Sequence, residues 1–86
     1  MNVLELSNKI EEKLKENNLV GDRIGSGFYC PTGERDVQYD YNPKNINKEA
    51  ITAIVEGTAK SNHAKSRIRF ADKWFTFYVS CNPEIK

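Results

Sequence analysis

The stretch RIRFADKWFTFYVS, residues 67–80, constrains the fold more tightly than any other part of the chain. Side chains alternate between the two faces of a strand, so Arg67 and Arg69 share one face and Ile68 and Phe70 the other. The same rule groups Trp74, Thr76 and Tyr78 against Phe75, Phe77 and Val79. Which halves match depends on the parity of the loop between them. A two-residue loop at Ala71-Asp72 sets Arg69 opposite Trp74, Ile68 opposite Phe75 and Lys65 opposite Tyr78. A four-residue loop over Phe70–Lys73 gives the same pairing and the same faces. A three-residue loop would set Arg69 opposite Phe75, and it calls for a left-handed residue, usually glycine, that this stretch lacks. An even loop also gathers Ile68, Phe70, Phe75, Phe77 and Val79 on one wholly apolar side, which Cys81 continues. Such a pattern normally fixes register. The hairpin therefore carries a core face and a second face made of Lys65, Arg67, Arg69, Trp74, Thr76 and Tyr78.

The rest of the chain supplies elements to cover that core face. Val3, Leu6, Ile10 and Leu14 recur at spacings of three and four, which predicts an amphipathic helix over about residues 2–17. Glu5 with Lys9 and Glu11 with Lys15 are i,i+4 pairs in the favourable order. Asn17-Asn18 is a helix stop, since asparagine tolerates the left-handed cap conformation, and Leu19 and Val20 dock the exit. A hairpin follows, with strands Phe28–Cys30 and Asp36–Tyr41 around a turn at Pro31-Thr32-Gly33-Glu34. Val37, Tyr39 and Tyr41 share one face of it; Asp36, Gln38 and Asp40 share the other. Pro43 ends the second strand, because it has no N–H to give the ladder. Residues 47–60 read as a second helix with Asn47 as N-cap and Ile51, Ile54, Val55 and Thr58 facing inward. The β-branched residues and Gly57 weaken that helix, and a strand over Ile51–Val55 is the competing reading. The order is α-β-β-α-β-β: an α+β fold with a four-stranded antiparallel sheet and helices on one face.

At 86 residues the chain fits a single small domain, residues 1–86. The N-terminus has no basic leader and no apolar run of signal-peptide type, and no stretch approaches a membrane span. The expected setting is cytoplasmic, with no membrane partner, and Cys30 and Cys81 are read as free thiols there. Net charge is only +1, but the cations gather late in the chain: Lys60, Lys65, Arg67, Arg69 and Lys73 stand against Asp72 alone. That cluster is either a solvated face or an attractor for an anionic partner.

Catalytic patterns are weak. Gly25-Ser26-Gly27 lacks the following G-K-S/T of a phosphate loop and leads into a strand, so it reads as a strand entry with an uncluttered backbone. His63, the sole histidine, has no local motif with either cysteine, and Cys81 on the core side would be inert. Two cysteines and one histidine without a C-x-x-C pair do not make a zinc site. Glu34, Asp36 and Asp40 resemble the carboxylates of a nuclease metal site, read more simply as a solvent-facing strand side. They also form a short acidic strip of the kind that mimics nucleic-acid phosphates. The expectation is a non-enzymatic protein without cofactor or metal.

Bases interleaved with aromatic rings are what a single-stranded nucleic-acid platform needs, since rings stack on bases and cations track phosphates. Lys65, Arg67, Arg69, Lys73, Trp74 and Tyr78 are the residues expected to bind. The reading is a small binding or regulatory module acting on nucleic acid or on a nucleic-acid-processing complex. The alternative is a protein-binding inhibitor of phage or mobile-element type that blocks a host enzyme, with Trp74, Tyr78 and Arg69 as anchors. A plain cation–π pair of Arg69 on Trp74 would be neither. Exposed strand edges also leave room for a homodimer by sheet extension.

Overall fold

Helix α1 spans Val3–Glu16 and helix α2 Lys48–Ser61; the strands are β1 Arg23–Phe28, β2 Asp36–Tyr41, β3 Ala64–Phe70 and β4 Phe75–Cys81. The computed structural model describes residues 3–28, 36–42 and 46–81, with the backbone alone at Phe28 and Cys81. The strands form one antiparallel sheet in the order β1-β2-β4-β3. Each hairpin thus contributes one central and one edge strand. The α-β-β-α-β-β order and the antiparallel sheet are those expected from the alternation and helical spacing.

Both helices pack on one face of the sheet. Val3, Leu6, Ile10 and Leu14 of α1 and Ile51 and Val55 of α2 join Val37, Tyr39, Tyr41, Phe75, Phe77 and Val79 in one buried cluster. The rings of Tyr41 and Phe77 stack at 5.7 Å between centroids, and Tyr39 meets Phe77 edge-on at 5.6 Å. Ser7 is the one polar residue inside the α1 stripe, and its hydroxyl donates to the Val3 carbonyl at 2.8 Å, which removes the cost of burying it.

Local chemistry sets the helix ends. Asn18 takes a left-handed conformation at φ 56°, and Leu19 and Val20 turn inward behind it. The Asn47 side chain accepts from the Ala50 N–H at 3.0 Å, one of the helix-start donors that lack an internal partner. After α2, His63 at φ 59° reverses the chain directly into β3. The competing strand over Ile51–Val55 does not form. Ile51 and Val55 fall on one helical face and bury completely, and this tertiary packing outweighs their β propensity.

Three other expectations change. The first strand begins at Arg23, well before Phe28, so Gly25-Ser26-Gly27 lies inside β1 rather than leading into it. Ala59 joins the inward face of α2, while Ile54 is only partly buried. Glu11 does not serve the helix surface: it accepts from the Tyr41 hydroxyl at 2.7 Å and stands 3.7 Å from Arg23 Nε. The turn at residues 31–34, the strand end at Pro43 and the environment of both cysteine side chains lie outside the described residues.

The two buried tyrosines are amphipathic plugs. Their rings fill the core while their hydroxyls reach polar groups of α1, Tyr39 to Asn8 at 2.6 Å and Tyr41 to Glu11. Burial, and then the Glu11 carboxylate, push the Tyr41 phenol far above its ordinary 10.0. The folded state therefore keeps a proton that the unfolded chain loses. Stability from this group is complete below pH 10.0 and falls as pH rises above it, by up to about 1.4 kcal/mol per pH unit. Urea midpoints are expected to drop steeply from about pH 10 to 11 in the wild type and less steeply in Tyr41→Phe. Parallel curves for the two proteins would contradict this assignment.

Candidate binding face of the sheet

The second sheet face is free of helices among the described residues. The alternation that buries Tyr39, Tyr41, Phe75, Phe77 and Val79 necessarily sends their neighbours to the other side. The register arranges them in rows that cross all four strands. One row runs Gly27, Gln38, Tyr78, Arg67, and the next runs Gly25, Asp40, Thr76, Arg69. A third runs Asp36, Ser80, Lys65 across the three strands where it is described. From β1 to β3 the face therefore passes from bare glycine, through carboxylate and amide, through hydroxyl and ring, to cation.

The register of the closing hairpin differs from the expected one by two residues. Arg69 stands opposite Thr76 rather than Trp74, and Lys65 opposite Ser80 rather than Tyr78, with Arg67 opposite Tyr78. The connection is Ala71–Trp74, with the Ala71 N–H bonded to the Trp74 carbonyl at 2.8 Å. Its length is still even, so both faces keep their expected membership. The shift places Trp74 in the connection at the end of the sheet, where the residue is 37% exposed. Arg69 is then not paired across from Trp74, and the cation–π contacts form elsewhere, from Arg23 to the Tyr39 ring and from Lys48 to the Phe70 ring.

Of the six residues expected to bind, five come together on this face. Arg67, Arg69, Trp74 and Tyr78 line a shallow groove of about 410 Å³ with Gln38 and Thr76. Lys65 lines its continuation along β3, with Ser66, Arg67, Tyr78 and Ser80. Lys73 does not join them; it is exposed at the tip of the hairpin connection and lines neither groove.

The acidic residues of β2 belong to the same face, which strand alternation alone does not reveal. Alternation says that Asp36, Gln38 and Asp40 point together; only the pairing of β2 with β4 says that they point beside Tyr78 and Arg67. Each carboxylate is held by a donor of the face itself: Tyr78 donates to Asp36 Oδ1 at 3.2 Å, and Gln38 Nε2 to Asp40 Oδ1 at 3.0 Å. Ile24 was also missed. The β1–β2 register slips between Arg23 and Gly25, and this bulge leaves Ile24 54% exposed beside Gln38, Asp40 and Trp74.

Among the described residues no set of histidine, cysteine or acidic side chains is grouped to hold a metal ion, and no helix is long and apolar enough to cross a membrane. His63 is exposed at the α2–β3 reversal. No protein-family model matches the chain, and no curated protein sequence matches it either. The functional reading therefore rests on the chemistry of this face.

Proposed function

We propose that the protein is a small binding module for single-stranded nucleic acid, which lies along β3 with its bases turned inward across β4. The observation that carries this reading is the convergence of Arg67, Arg69, Trp74 and Tyr78 on one groove in the helix-free sheet face. Lys65, Arg67 and Arg69 form a line of cations at the outer edge of the sheet. Tyr78 and Trp74 offer ring surface beside that line, and every base has a π-face to stack on a ring. Adjacent strands are about 5 Å apart, so the step from β3 over β4 to β2 is about 10 Å, comparable with the reach of a nucleotide from phosphate to base edge.

The acidic row favours one orientation of the strand. Phosphates are repelled from Asp36 and Asp40 and attracted to β3, so the backbone stays at the β3 edge. The same charges bear on self-association. Two copies paired through β3 would set Lys65, Arg67 and Arg69 against one another, and like charges directly opposite are destabilising. A regulatory role on nucleic acid follows more readily from this face than a homodimer through the same edge.

Fluorescence anisotropy of a labelled single-stranded oligonucleotide tests the reading. Binding at low salt should weaken with a slope of log K against log salt of about −2, from three phosphates neutralised at roughly 0.7 each. Absence of binding at low salt overturns the proposal and leaves the protein-binding inhibitor as the reading, with Trp74, Tyr78 and Arg69 as its anchors.

A further inference from the structure

Beside the main groove lies a second, smaller pocket of about 250 Å³, lined by Ile24, Gln38, Asp40 and Trp74. It is smaller than the pockets that hold drug-sized ligands and suits a single planar base. Two of its walls are apolar and exposed, an uncommon pairing on a polar sheet face: Trp74 at the hairpin connection and Ile24 at the β1 bulge. Its polar floor is the Gln38–Asp40 pair.

The Asp40 carboxylate is held by one hydrogen bond and has its room left by a glycine. Gln38 Nε2 donates to Oδ1 at 3.0 Å, and a Cβ on Gly25 would lie only 2.9 Å from Oδ2. Any residue other than glycine at position 25 would push the carboxylate aside. An ionised carboxylate offers about four acceptor positions and no donor, so whatever docks against Asp40 must present hydrogen-bond donors. Phosphate oxygens are excluded on the same ground.

Resting on the single-strand reading above, we infer that this pocket is a base-specific subsite that takes guanine, stacked on Trp74 with its Watson–Crick edge donating to Asp40. Among the four bases, guanine alone presents two adjacent donors, N1–H and the 2-amino group, which match the two oxygens of a carboxylate. Adenine and cytosine each set a ring-nitrogen acceptor beside their amino group, and thymine or uracil flanks one donor with two carbonyls. Single-stranded bases are commonly read on this edge while stacked on an aromatic side chain. The pocket lies two strands inward from the cationic line of β3, where a base would arrive when its phosphate is held at the edge.

The test compares a short oligothymidylate with the same oligomer carrying guanine at alternate positions, each titrated by anisotropy against the full chain at low salt. The guanine oligomer should bind roughly 10-fold more tightly. Asp40→Asn replaces one acceptor by a donor and should cut that preference to about two-fold or less, while Glu56→Gln, an equal change of charge on the exposed side of α2, should keep it. Equal affinity of the wild type for both oligomers overturns the guanine subsite but leaves the platform standing. A preference that survives Asp40→Asn in a folded protein also overturns it. Failure of both oligomers to bind overturns the platform itself.

Discussion

Phe77→Ala should cost about 3–5 kcal/mol of stability, the largest effect expected of any single truncation in this protein. Phe77 is fully buried at the centre of the sheet, opposite Tyr39 on one side and Ile68 on the other. It stacks on Tyr41 and meets Tyr39 edge-on, so its loss opens a cavity beneath both tyrosines. Those rings cannot collapse into the space without giving up their hydroxyl bonds to Asn8 and Glu11 on α1. Small domains hold only about 5–15 kcal/mol in total, and one of this length sits toward the lower end. Urea denaturation followed by circular dichroism should show a large fall in the midpoint with little change in slope. A loss under about 1 kcal/mol would mean that the core is centred elsewhere.

Trp74→Ala should have the opposite profile. The ring belongs to the open face and contributes nothing to the buried cluster, so the midpoint should move by about 0.5 kcal/mol or less. Binding of a single-stranded oligonucleotide should weaken by about 1–3 kcal/mol, the usual worth of one base–ring stack. Trp74→Phe keeps a ring in place and should recover most of that loss. Unchanged affinity in Trp74→Ala, with the fold intact, removes the ring from the binding account.

The contrast between these two aromatics was legible in the sequence because strand alternation and loop parity depend only on local spacing. Phe77 and Trp74 separate onto opposite faces for any even loop, whether it holds two residues or four. The two-residue shift in register was not legible. Connections over Phe70–Lys73 and over Ala71–Trp74 bury the same apolar set, so the hydrophobic pattern does not distinguish them, and the choice rests on how the chain closes at Ala71 and Trp74. The helical state of residues 48–61 was similarly ambiguous, because β-branched residues serve either state when buried and only contact with the sheet decides. The early start of β1 was hidden by its glycines, which carry no alternation to read.

The candidate site was legible in part for the same reason. Lys65, Arg67, Arg69, Trp74 and Tyr78 share a hairpin, and a hairpin has its own local grammar. Asp40, Gln38 and Ile24 joined them only through the non-local pairing of β2 with β4 and the bulge in β1. An acidic strand and a basic hairpin looked like separate surfaces in the sequence; the strand order β1-β2-β4-β3 makes them neighbours on one face. That neighbourhood converts an undirected basic patch into a polar surface with a cationic edge at β3 and carboxylates two strands inward.

Trp74 is the sole tryptophan of the chain, so its emission reports on this face and on nothing else. Titrating the protein with a single-stranded oligonucleotide at low salt and following that emission tests the central claim most directly. Stacking of bases on the indole should give saturable quenching, reversed by added salt as the β3 cations release the phosphates. Oligonucleotide binding that leaves Trp74 emission unchanged, or no binding at all, would contradict that claim.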